Sequence, residues 1–221
     1  MAAAESSRSA AFIRKNTVPL SPPLVPEIRL HLAEESLPIW LKTEEELQQH
    51  NIDPPYWAFA WAGGQALARY VLDNPTLVRG KRVLDLGSGS GLVAIAACRA
   101  GAASALAADV DQLASVAAEV NAALNSVTLT TTANDMLVTG AGKFDVVLVG
   151  DLFYEAQLAK KVLTFIEANV SAGVIVLVGD PRRSYFPLDR FEKLTEYTVP
   201  VTRQLEDAEI KRTAIWRYKP G

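Results

Sequence analysis

The sequence predicts an α/β fold built on a mostly parallel seven-stranded sheet with helices on both faces, and three observations carry that expectation. From Val83 onward, short aliphatic runs alternate strictly with helical patterns through four units, the arrangement of a parallel sheet. A glycine-rich stretch, V-L-D-L-G-S-G-S-G from Val83 to Gly91, ends the first of these strands and opens a helix. The chain then closes on two strand patterns, Leu194 to Thr202 and Arg212 to Tyr218. Their polar connection is too short for a crossover helix, so they pair antiparallel.

Residues 1–16 are rich in Ala and Ser with Arg8, Arg14 and Lys15, and read as a disordered tail or a short transit peptide, the second opposed by Glu5. Val18 to Pro26 carries four prolines and cannot be helical, whereas Ile28, Leu30 and Leu32 alternate with polar residues as in a half-buried strand. Thr43 with Glu46 has the spacing of a capping box. Residues 1–53 therefore read as an appendage, the size of a lid or strand pair, ahead of a main domain over 54–221. The aromatic run Y-W-A-F-A-W-A-G-G-Q leads into a helix near Gly64. After the strand at Val83 come a helix (Leu92 to Arg99), a strand (Ser104 to Ala108) and a helix from Gln112 to Leu124 with Leu113, Val116 and Val120 on one stripe. The strand Val127 to Thr132 follows, then the strand Phe144 to Val149, a helix from Ala156 to Asn169, and the strand Val174 to Gly179.

With 221 residues and 49% hydrophobic content, the chain can bury one sizeable core but not two. Lys plus Arg number 22 against 25 Asp plus Glu, a formal charge of -3, which leaves no basic excess to hold a phosphate backbone and argues against nucleic acid as the main partner. The single cysteine, Cys98, reads as a small buried hydrophobe in a helix and suits a reducing compartment. No apolar run approaches the roughly 18 to 20 residues of a membrane span. The expectation is a soluble cytoplasmic protein, or one of the mitochondrial matrix if residues 1–16 are a transit peptide. The only histidines, His31 and His50, stand in the appendage, and no metal is implied.

The glycine stretch is the most informative chemistry. Gly87, Gly89 and Gly91 let the backbone turn tightly and approach a ligand at a helix N-terminus. Asp85, inside the motif, would repel a pyrophosphate but suits a ligand bearing a cation, such as the amino group and sulfonium of S-adenosylmethionine. Eighteen residues past Gly91, Asp109 ends the second strand, where an acid accepts hydrogen bonds from both ribose hydroxyls. Asp111 is either a second ligand group or the cap of the next helix. Asn134 and Asp135, ending the third strand, are positioned for the adenine amino group, or form an ordinary loop. The fourth strand ends in D-L-F-Y. There Asp151 can hold an amine while Phe153 and Tyr154 wall a slot for a lysine stem. Among the rings before Gly64, Trp57 and Trp61 are candidates for the acceptor rim and the cofactor cover, core packing being the default for the rest. A tetrapeptide of amino-methylating enzymes, D-P-P-Y at Asp53 to Tyr56, stands too early in the chain to serve and reads as a turn.

A parallel sheet finished by an antiparallel strand resembles the Rossmann-like class I methyltransferases. Taken together, P-P-Y-W-A-F-A-W-A-G-G-Q-A-L, D-L-G-S-G-S-G, D-L-F-Y and V-G-D-P-R-R-S-Y resemble the protein lysine methyltransferase group that modifies the beta subunit of electron transfer flavoprotein, from Pro54 to the C-terminus. That resemblance implies S-adenosylmethionine as cofactor and a protein substrate. It makes Asp85, Gly87 and Gly91 cofactor contacts, Asp109 the ribose ligand, and Asp151 with Tyr154 the catalytic pair. One departure is visible: the segment after the fifth strand reads D-P-R-R, where the family pattern has a glycine before the arginine, so no contact is carried over to Arg182 or Arg183. Competing expectations are another protein substrate such as a ribosomal protein, a small-molecule acceptor of nicotinamide type, and a non-catalytic module. The last is opposed by intact Asp85, Asp109 and D-L-F-Y.

Overall fold

A computed structural model of the protein describes residues 2–33, 55–140, 143–201 and 210–220. Its centre is β3 (Arg82–Leu86), in which every residue from Val83 to Leu86 is buried, as a strand covered on both faces requires. β4 (Ser104–Ala108) and β5 (Thr130–Thr132) extend the sheet on one side of it, and β6 (Val146–Gly150) and β7 (Ile175–Asp180) on the other, all in parallel. β9 (Ile210–Tyr218) joins β7 antiparallel and β8 (Phe191–Pro200) covers its outer edge, giving the order β5-β4-β3-β6-β7-β9-β8.

Side chains alternate across this sheet and feed two cores. Val83, Val146 and Leu148 pack toward α2 (Ala62–Asp73) and α3 (Leu92–Arg99), against Leu67, Val71 and Ile95. Leu84, Val147 and Val149 point the other way, against Val162, Phe165 and Ile166 of α6 (Ala156–Ser171). The chain leaves β3 toward β4 and β5, then crosses back to place β6 on the other side of β3. That divergence opens a crevice at the C-terminal ends of the strands, where open α/β sheets bind ligands.

Residues 2–16 are not a disordered tail but a helix, α1 (Ala2–Asn16). Its alanines favour the helix intrinsically, and Ile13, fully buried, anchors it against Trp57, Ala114 and Ala117. β1 (Val18–Leu20) and β2 (Leu30–Leu32) form the expected antiparallel pair, and Ile28, Leu30 and Leu32 are buried. This pair is fastened to α4 (Gln112–Leu124) by amides: Asn121 Oδ1 accepts from His31 N–H at 2.7 Å and Asn125 Oδ1 from Arg29 N–H at 3.0 Å. The buried face of α4 is centred on Ala114, Ala117 and Ala118 with Val120. Leu113 and Val116 flank it half-buried, because the appendage approaches too closely for larger residues in the middle. Cys98 is half-buried rather than a core residue, and its thiol meets Thr128 O at 3.4 Å. The capping box at Thr43 and the turn at Asp53 lie outside the described residues. Among the described residues, no helix is long and apolar enough to cross a membrane.

Because Ile13 is the anchor of α1, Ile13→Ala should cost about 2–4 kcal/mol in urea unfolding. An unchanged midpoint would show that the helix adds nothing to the fold.

Candidate functional site

A cavity of about 570 Å³ opens at the ends of β3, β4 and β6, beside Leu86, Ala108 and Gly150, a size suited to a small-molecule ligand. Gly87 and Gly89 line it, while Gly91 faces inward: it caps α3 with φ 79°, and a Cβ there would come within 2.8 Å of Ala118 Cβ. Asp85 also stands behind the cavity wall rather than on it. Its Oδ2 accepts the N–H of Ala94 at 2.9 Å, so the acid ties the glycine turn to the first turn of α3. Burial pushes this carboxyl up to about 7, opposed by the Ala94 hydrogen bond and reinforced by the charge of Asp109.

Asp109 is on the wall, with Oδ2 accepting from Gly89 N–H at 2.9 Å and Oδ1 from Asp111 N–H at 3.1 Å. Burial raises its pKa. Asp111 lines the cavity and caps α4 through Leu113 N–H at 2.8 Å, the helix-cap role that the sequence offered. Asn134 and Asp135 lie on the wall too. Asp135 caps α5 (Met136–Thr139), a one-turn helix the sequence did not announce.

Near the end of β6, Asp151 adopts φ 57°, a left-handed backbone unusual for a residue with a side chain. Its Oδ2 accepts the N–H of Gly64 at 2.9 Å, and its Oδ1 accepts Arg183 Nε at 3.0 Å and Nη2 at 2.7 Å. The Arg183 guanidinium also lies 5.5 Å from the centre of the Trp61 ring. Arg183 is the functional candidate that residue patterns missed. The structure explains the D-P-R-R departure: Arg182 takes φ 67°, the conformation that a glycine adopts without strain, and Arg183 then turns toward the cavity. Asp180 holds this turn, accepting Arg183 N–H at 2.7 Å through Oδ1, while its Oδ2 is buried with no hydrogen-bond partner among the described residues. Burial, and secondarily the charge of Asp151, push Asp180 up to about 7.

Tyr154 is half-exposed at the mouth, 5.8 Å from the Tyr56 ring, which in turn meets Trp61 edge-on at 5.9 Å. One substrate-facing expectation is corrected. Phe153 is fully buried, edge-on to Phe186 and Phe191, because the chain past Asp151 sends this side chain into the core and Tyr154 outward. Trp57 is buried with Ile13 and Ala114 and borders the cavity beside Gly89, while Tyr56 joins Tyr154 at the mouth. Trp57 Nε1 has no hydrogen-bond partner among the described residues.

α2 must come very close for Gly64 to reach Asp151. A Cβ on Gly63 would fall 2.2 Å from Gly179 O and 2.5 Å from Asp151 Oδ2, so only glycine fits there.

Residues 65–175 match the family model described as ribosomal protein L11 methyltransferase (PrmA). The chain is 40% identical over 217 residues to the electron transfer flavoprotein beta subunit lysine methyltransferase of Mus musculus, covering 95% of this chain and 84% of that one. Against the Homo sapiens protein of the same name the identity is 37%, with 95% and 82% covered. A crystal structure of the ribosomal protein L11 methylase of Lactobacillus delbrueckii subsp. bulgaricus superimposes with a TM-score of 0.52 at 27% identity, over 76% of this chain and 84% of that one.

Two outcomes follow from this geometry. Gly63→Ala would press on the Gly179 backbone and on the pinned Asp151 carboxylate, and should destabilise the protein by about 1–3 kcal/mol in urea unfolding; a neutral effect would refute the close approach. Asp85 and Asp180 have folded pKa values above their ordinary 3.8, so they favour the folded state at acid pH and withdraw that stabilisation as pH rises through about 7. The urea midpoint of ligand-free protein should therefore fall between about pH 6 and pH 8, and fall less in Asp180→Asn. A slope that Asp180→Asn leaves unchanged would show that this acid is not protonated in the folded state.

Proposed function

Because this chain belongs to the family of electron transfer flavoprotein beta subunit lysine methyltransferases, we propose that it transfers the methyl group of S-adenosylmethionine to lysine side chains of that flavoprotein subunit. The chain is a methyltransferase by relationship and by fold. The observation that carries the finer reading is the Asp151 carboxylate, fixed at the inner end of a slot whose mouth is walled by Tyr56 and Tyr154. A long, flexible aliphatic stem ending in an amine has the right shape for it.

The residues present fit the cofactor. The glycine turn brings backbone close to the cavity at Gly87 and Gly89, Asp109 presents a carboxylate for paired hydroxyls, and Trp57 borders the same space. Asn134 and Asp135 would then face the adenine, and Trp61 would cover the reacting end. When bound, S-adenosylmethionine supplies a methyl group activated by a sulfonium. The acceptor attacks as a neutral amine, so the protein's task is alignment in a site from which water is displaced, worth several kcal/mol in barrier height. Asp151 orients the amine by accepting a hydrogen bond from it, and Tyr154 lies against the stem.

The test is to incubate the protein with methyl-labelled S-adenosylmethionine and recombinant electron transfer flavoprotein, and to map the label by mass spectrometry. Label on beta-subunit lysines, lost in Asp151→Ala, is expected. Label only on another protein of a cell extract would discard the substrate, and label on no protein would put a small-molecule acceptor in place of a protein. Asp151→Asn should lower turnover by about 100-fold or more with cofactor affinity little changed. Equal losses in both would remove its orienting role.

A further inference from the structure

Resting on the lysine acceptor just proposed, the Asp151 pair poses a problem of charge. A bare carboxylate beside an amine favours the ammonium form, and an ammonium has no lone pair with which to attack. Asp151 is not bare. Both nitrogens that Arg183 offers it bind Oδ1, Gly64 N–H occupies Oδ2, and the two charged side chains are only 17% and 11% exposed, so their charges compensate each other with little screening. The guanidinium cannot lose its proton; Asp151 and the Trp61 ring hold it, and Asp180 holds the Arg183 backbone N–H.

We propose that Arg183 is a positioning residue for methyl transfer: as the standing counter-ion of Asp151, it lets that carboxylate orient the acceptor lysine without drawing a proton onto it. In the transfer itself the amine lone pair forms the N–C bond while the C–S bond breaks, its electron pair staying on sulfur. The positive charge passes to the methylated amine, which sheds its proton to water on release. Only the protonation of the acceptor before attack depends on Arg183.

Among the described residues, five further titratable side chains share this cavity with the pair. Asp180 sits on the same turn, and Tyr56 and Tyr154 stand at the mouth. Asp109, Asp111 and Asp135 line the cavity from the β4 and β5 side. Of these, Asp180, which is pushed up to about 7, would add its own limb to a rate profile near neutrality, so the experiment removes it.

Single-turnover methylation of recombinant electron transfer flavoprotein should be followed from about pH 6 to pH 10 for wild type, Arg183→Gln, Arg183→Lys and the double variant Arg183→Gln with Asp180→Asn. Arg183→Gln should shift the rising limb upward by about one unit or more, losing on the order of tenfold at neutral pH and regaining rate in alkali. Arg183→Lys keeps the charge but not the fork, so its rate should fall at every pH without a shift. Affinity for S-adenosylhomocysteine, the fold control, should stay close to wild type in all. A loss by the same factor at every pH in Arg183→Gln, or a shift that disappears when Asp180 is removed, would overturn the proposal. A wild-type protein that methylates no lysine at all would overturn the functional reading first and this inference with it.

Discussion

The Asp151 end of the cavity depends on one close approach: the first turn of α2 against the ends of β6 and β7. Gly63 leaves no room for a side chain between itself and Gly179 O, and this approach, which Gly150 and Gly179 share, brings Gly64 N–H within 2.9 Å of Asp151. The carboxylate is then gripped from a second element, the turn after β7, through Arg183. A group held by donors from two independent elements keeps its orientation without a ligand, the preorganisation that alignment-driven catalysis needs. Asp151 takes a left-handed backbone for this purpose, and the hydrogen bonds on its side chain offset the conformational cost.

Behind this grip, the strand ends carry an unusual density of acids. Asp85, Asp109 and Asp180 are all raised by burial, and Asp111, Asp135 and Asp151 share the cavity wall with Asp109. A cavity so lined favours a cationic guest and repels phosphates. Arg183 offsets part of that field at one end, so the two ends differ electrostatically even though both are built from strand-terminal aspartates.

The regular parts of this design were legible from residues alone. Leu92 to Arg99, Ser104 to Ala108 and Gln112 to Leu124 form their elements with the expected bounds, because apolar period and cap residues coincide there. Of the cavity-lining aspartates, Asp109 and Asp151 were legible as acids at strand ends, whereas Asp111 and Asp135, which also cap helices, were open to either reading. Contacts between distant segments were not. Nothing local to Ile13 announces that it docks on α4, nor does the D-L-F-Y order tell that Phe153 turns inward. Arg183 was hidden by the missing glycine. Its partner lies 32 residues upstream, and only the left-handed Arg182 shows how the turn survives without that glycine.

If one cavity is divided between a cofactor end at Asp109 and an acceptor end at Asp151, a crystal structure of the protein with S-adenosylhomocysteine will show ribose hydroxyls on the Asp109 carboxylate, the base beside Asn134 and Asp135, and the sulfur directed toward Asp151 and Tyr154. A ligand lying the other way round, or bound outside this cavity, would contradict that division.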